Sequence, residues 1–248
     1  MKTVLFTGEV LNSQAFRELL GKEVEKHLLH IPLERTRYHT FEEEEKLIAG
    51  SLNEYTFTIY GGLKNAHYFL KYVEQQHLEK QVLNQIHLVT DHPTRRFLEE
   101  NGIPAILPRE RVKGIDILEF LLRISTQGNV LYPTTDQHTE EIPGLLNELK
   151  MGVTEFTVCA ERSLTEEELS GARREVEEGK PDGVIFHDRA SVNRVRIAFP
   201  DLELAKVQII SASRGVTEFL EGEGLSVDQE AEGTWFSLAE LLKRETGI

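Results

Sequence analysis

The sequence predicts an α/β protein of two similar three-layer lobes, each a parallel sheet of the Rossmann or flavodoxin type, and three observations predict it. Short apolar runs of strand length alternate with stretches of helical period. Several runs, IHLVT and VQIIS among them, are nearly all apolar, as strands covered on both faces must be. The order of elements also recurs once along the chain. Strand–helix alternation favours parallel sheets, because each return to a parallel neighbour needs a crossover that a helix supplies.

The elements follow in chain order. A strand at Thr3–Phe6 leads into a helix over Ser13–Lys26 and a second strand at Leu28–Leu33. Strands are then expected at Thr56–Tyr60, Ile86–Thr90 and Ala105–Leu107, with helices at Asn65–Gln75, Thr94–Asn101 and Ile115–Ile124. Asn129–Tyr132 is the next strand, followed by a helix over Glu140–Lys150 and an extended run at Glu155–Cys159. The chain closes on a helix at Thr165–Glu178, strands at Gly183–Phe186, Val207–Ser211 and Ser226–Asp228, and helices at Val216–Glu221 and Phe236–Glu245. HLLHIPLERTRY and VTEFTVCAERSL are longer and trail into polar residues before acid-rich helix starts at Glu42–Glu45 and Glu166–Glu168. They read as extended connectors, and the acidic starts suit the helix dipole.

The repeat is carried by pairs in the same order. VLFTGEV at Val4 matches VLYPTTD at Val130, and Leu19-Leu20 matches Leu145-Leu146. Glu34-Arg35-Thr36 matches Glu161-Arg162-Ser163, and Ile59 of FTIYGG falls over Ile185 of VIFHD. FLEENGI at Phe97 matches FLEGEGL at Phe219, and ILEFLLR at Ile117 matches SLAELLK at Ser237. Two copies make a two-lobed protein and not a solenoid. Each copy contains a connector, so one copy is not one lobe. The expected lobes are residues 1–33 with 163–248, and residues 38–157. The connectors, 34–37 and 158–162, would pair as a two-stranded ladder and act as a hinge.

Composition narrows the function. Hydrophobic residues make up 40% and charged residues 28%, ordinary for a soluble globular chain. No apolar run is long enough to span a bilayer, and MKTVLFTGEV turns acidic too soon for a signal peptide. The single cysteine, Cys159, excludes an internal disulfide and suits a reducing cytoplasm. Its expected state is a small half-buried side chain. A net charge of −14 does not attract nucleic acid or an anionic membrane. The nine histidines show no metal spacing, and no Walker A or G-x-G-x-x-G loop is present. The missing diphosphate loop disfavours a two-lobed sugar-nucleotide transferase.

In open parallel sheets a ligand binds beyond the carboxyl ends of the strands, where the following helices point free N–H groups and the positive dipole end. Candidate binding residues are therefore Thr7, ending the first strand, then Gly61, Gly62, Lys64 and Asn65, then His92, Thr94 and Arg95. His187, Arg189 and Ser191 follow another strand, and Ser211, Ser213 and Arg214 follow the last of the set. Caps are the competing use, with Asp91 or Thr94 capping one helix and Asp188 another. Gly61-Gly62 permits either a turn or a close backbone approach. Arg35 and Arg162 occupy equivalent connector positions and line either a cleft floor or a solvated ladder face.

Phe186-His187-Asp188-Arg189-Ala190-Ser191-Val192, the helix opened by Thr94 and closed by Gly102, and its counterpart at Val216 and Gly224 carry a resemblance to the uroporphyrinogen-III synthase family. The chain departs from that pattern at Gly8, Asp188, Ser213, Val216 and Cys159. The resemblance implies two α/β lobes joined by a β-ladder and a polyanionic linear tetrapyrrole, hydroxymethylbilane, as substrate. It also implies loss of water, inversion of the last ring, ring closure, no cofactor, no metal and a monomer. No catalytic side chain is assigned. The departures leave a second reading, a non-catalytic two-lobed ligand-binding or regulatory relative.

Overall fold

The computed structural model describes residues 3–38, 52–110, 112–124, 128–136 and 141–246. The expected acidic helix start at Glu42–Glu45 lies outside them. In chain order the elements are β1 (Val4–Phe6), α1 (Val10–Leu20), α2 (Lys22–Glu25), β2 (Leu28–His30) and β3 (Glu34–Tyr38). β4 (Tyr55–Tyr60), α3 (Leu63–Gln75), α4 (Glu79–Val82), β5 (Ile86–Val89), α5 (His92–Glu100) and β6 (Ala105–Ile106) follow. Next come α6 (Gly114–Ile124), β7 (Asn129–Thr135), α7 (Glu141–Glu148) and β8 (Val153–Ser163). The chain continues with α8 (Glu166–Gly179), β9 (Gly183–Phe186), α9 (Arg189–Ala198), β10 (Gln208–Ser211), α10 (Arg214–Gly222), β11 (Gln229–Glu230) and α11 (Trp235–Thr246).

The chain divides into two compact units, Met1–Thr36 with Arg162–Ile248, and Arg37–Glu161. The first unit holds a sheet in the order β11-β10-β9-β1-β2, with every ladder parallel. The second sheet runs β3-β8-β7-β4-β5-β6, and its ladders from β8 to β6 are parallel. Apart from β3 the two orders are the same pattern. β1→β2 runs one way and β9→β10→β11 the other, just as β7→β8 runs one way and β4→β5→β6 the other. The reversal falls between β1 and β9 in one sheet and between β7 and β4 in the other. Such reversal points are where doubly wound sheets open a crevice at their carboxyl ends.

Alternation along the strands divides each core in two. Leu5, Val184, Phe186 and Ile209 face one layer of the first sheet, while Phe6, Ile185 and Ile210 face the other. In the second, Tyr60, Val89, Leu131 and Phe156 face one layer and Phe57, Ile59, Leu88, Val130 and Tyr132 the opposite one. Each large side chain so buried contributes about 2–3 kcal/mol before entropy is counted.

Three elements differ from expectation. The helix expected over Ser13–Lys26 starts earlier and breaks at Gly21, whose φ of 75° ends α1 before α2 begins. The run expected as a connector around Glu155–Cys159 is an eleven-residue strand, β8, paired with β7 from Val153 to Cys159. Cys159 is fully buried there, not half-buried. The last strand is Gln229–Glu230 and not Ser226–Asp228. The Asp228 carboxylate accepts Ile209 N–H at 2.7 Å, so the β10 ladder begins only after it.

Candidate functional site

In the first unit the crevice is framed by the loops that leave β1 and β9. Thr7 is buried, and its hydroxyl has no hydrogen-bond partner among the described residues. The buried Glu9 carboxylate caps α1, accepting from the N–H groups of Leu11 (2.9 Å) and Asn12 (2.6 Å). After β9, Asp188 caps α9 by accepting from Ser191 N–H at 2.6 Å, and Ser191 returns a bond to the cap in a capping box. Ser191 is thus buried in the cap, while Arg189 is exposed.

His187 is largely covered. Its ring stacks on Trp235 at 5.9 Å and meets Phe6 edge-on at 5.6 Å. Trp235 also packs on Phe6 and Phe16. Beside them His30 Nε2 lies 2.7 Å from Ser13 Oγ and 2.8 Å from the Gly8 carbonyl. Burial holds the His30 pKa below its ordinary value. After β10, Ser213 caps α10, Ser211 bonds the Thr217 hydroxyl at 2.5 Å, and exposed Arg214 pairs with Glu218 of its own helix at 2.9 Å.

In the second unit Gly61-Gly62 leads from β4 into α3. No side chain caps this helix at Gly62, whereas side chains cap α1, α5, α8, α9 and α10. A Cβ on Gly61 would collide with the Tyr132 hydroxyl, so only glycine fits that approach. Thr90 Oγ1 donates to the Gly61 carbonyl at 3.2 Å. Asn65 is buried in the first turn, and Lys64 forms a buried ion pair with Glu161 on β8 at 3.1 Å, the two side chains 6% and 7% exposed.

After β5, Asp91 caps α5, accepting from Thr94 N–H at 2.7 Å. Burial raises the Asp91 carboxyl above the usual range, against the hydrogen bonds it accepts. His92 is exposed, and Arg95 pairs with Glu99 at 2.8 Å. The Thr94 hydroxyl is buried beside the Asp91 carboxyl, and that of Thr134 at the end of β7 is buried without a hydrogen-bond partner among the described residues.

Each expected site residue thus sits at or just past a strand end. Thr7, His187, Arg189, Ser191, Ser211, Ser213 and Arg214 gather on three loops of the first unit. Gly61, Gly62, Lys64, Asn65, His92, Thr94 and Arg95 gather on two loops of the second. Sequence reasoning missed Glu9, Glu34, Trp235, Thr134 and Arg194. The expected strand stopped at Tyr132, one turn of alternation short of Thr134. Trp235 carried a signal in being the chain's one tryptophan, at the start of a helix. Arg35 and Arg162 both approach the Glu168 carboxylate, at 3.6 and 3.3 Å.

A family model described as uroporphyrinogen-III synthase HemD matches residues 27–236. The chain belongs to the uroporphyrinogen-III synthase family. Members of the uroporphyrinogen-III synthase family are cyclising lyases of tetrapyrrole biosynthesis. The uroporphyrinogen III synthase of Thermus thermophilus, in a triple-mutant selenomethionine form, is 16% identical, with 100% of this chain and 99% of that one covered and a TM-score of 0.52. The uroporphyrinogen-III synthetase of Helicobacter pylori is 13% identical, with 99% and 100% covered and a TM-score of 0.57. At these identities the likeness is one of fold. No curated protein matches the chain. No helix among the described residues is long and apolar enough to cross a membrane.

Proposed function

We propose that this chain, as a monomer, binds hydroxymethylbilane at the strand ends just described and closes it to uroporphyrinogen III. Water is lost, the last pyrrole ring is inverted and the macrocycle closes. The observation that carries this reading is the family match over residues 27–236, together with the Gly61-Gly62 turn that brings backbone without side chains to the carboxyl end of β4. The buried hydroxyls of Thr7 and Thr134, partnerless among the described residues, supply donors at the strand ends of their own units. The departing hydroxyl must take a proton to leave as water. The greater part of the work is conformational, since holding the two ends of a flexible chain together removes the entropy cost of closure. Backbone donors can do this without a single indispensable side chain.

A second reading, a two-lobed ligand-binding relative without turnover, draws on the pairing of the nearby cations. Lys64, Arg95 and Arg214 each already contact a carboxylate of the protein. Turnover with enzymatically generated hydroxymethylbilane decides between them. The expected product is the type III isomer, formed faster than the spontaneous type I ring; type I alone sinks the enzymatic reading.

A further inference from the structure

Three acidic residues, Glu9, Glu34 and Asp188, stand at the loops that leave β1 and β9 and at the start of β3. Glu9 sits on the N–H groups of α1, so the helix dipole balances it. Glu34, only 2% exposed, accepts Glu9 N–H at 3.1 Å and so ties the β1 loop to the start of β3. Asp188 caps α9. A single guanidinium joins the last two. Arg194 Nη2 lies 2.8 Å from Glu34 Oε2 and 3.1 and 3.2 Å from the Asp188 oxygens, with its side chain 17% exposed. His187 Nε2 stands 3.7 Å from Asp188, and exposed Arg189 stands next to Asp188 in sequence.

We infer that Arg194 is a positioning and specificity residue, which neutralises Glu34 and Asp188 so that a ligand rich in carboxylates can approach the strand ends of the first unit. The inference rests on the substrate placement proposed above. One buried and one partly buried negative charge beside that crevice would repel a polycarboxylate strongly, because the surrounding dielectric is low. The guanidinium balances them and, through Glu34, fixes the Gly8–Glu9 loop against the start of α9. All three contacts come from the one Nη2, so a lysine keeps the charge but loses the reach and rigid plane that hold that nitrogen between the two carboxylates.

Steady-state kinetics on Arg194→Ala, Arg194→Lys, Asp188→Asn and Arg194→Ala with Asp188→Asn test this, with thermal unfolding of each as the folding control. Arg194→Ala raises KM about tenfold, with kcat moving less, and Arg194→Lys recovers part of the loss. The double variant regains most of the KM, since one unbalanced charge has gone although the guanidinium is still missing. Asp188→Asn alone keeps the cap and the cation and lowers KM. A double variant no better than Arg194→Ala, or an Asp188→Asn whose KM does not fall, reduces Arg194 to packing and overturns the inference. Calorimetry with uroporphyrinogen III separates the outcome from activity. If the wild type makes only the type I ring, the enzymatic reading fails, yet weaker binding by Arg194→Ala still supports the charge role. Equal binding, or a wild type that binds none, ends it.

Discussion

His87 on β5 is held from both ring nitrogens. Its Nε2 faces the Val82 carbonyl at 2.9 Å and its Nδ1 the Tyr60 hydroxyl at 3.1 Å. The carbonyl can only accept, so Nε2 carries the proton and Nδ1 accepts from the tyrosine. Burial holds the His87 pKa below the ordinary histidine value of 6.5 and lifts that of Tyr60 well above the usual phenol range. The unfolded chain therefore takes up a proton at a pH where the folded chain does not. The His87 contribution is complete above about pH 6.5 and is lost as pH falls from there through the folded pKa. His30 acts in the same direction. Urea unfolding at several pH values should show wild-type stability dropping below neutrality, with His87→Phe losing less over the same range. The difference is at most about 1.4 kcal/mol per pH unit. Parallel slopes would remove His87 from this account.

At the scale of elements, helix ends explain much of what recurs in the two halves. FLEENGI and FLEGEGL both end a helix on a glycine at positive φ, Gly102 at 77° and Gly224 at 79°. In each, the next N–H bonds back to a leucine carbonyl, Ile103 to Leu98 and Leu225 to Leu220. The repeated motif is a stop signal that needs glycine, which is why it was readable as sequence. α8 ends differently, with Lys180 at φ 41° and its N–H on the Val176 carbonyl at 2.9 Å. A side chain there costs what glycine would not. Lys180→Gly is expected to stabilise the protein by roughly 0.5–1 kcal/mol, raising Tm by a few degrees. A lowered Tm in a thermal scan would show that the lysine makes a compensating contact.

For the whole molecule, the notable property is that each sheet has its own pair of cores. The clusters around Leu5 and Phe6 draw only on residues of the first unit, and those around Tyr60 and Phe57 on residues 38–159. Residues 37–161, expressed alone, should therefore fold cooperatively, as seen by dispersed amide resonances and a sigmoidal urea transition. A fragment lacking both would mean that the second sheet depends on the remainder of β3 or on the first unit.

The alternation of strands and helices, the doubled order of elements, and the strand-end loops proposed to meet the ligand are all legible in the sequence. Those features are local: apolar period, strand length and helix stops are set by neighbours a few residues away. Only the tertiary structure decided which polar groups on those loops are already engaged. Lys64 meets Glu161, Arg194 meets both Glu34 and Asp188, and Trp235 covers His187, each pairing made by the fold and not by a motif. Such pairings depend on strand register and on which loops a parallel crossover brings side by side. A buried charge selects its partner from whatever lies within a few ångströms in space, and no spacing along the chain encodes that distance.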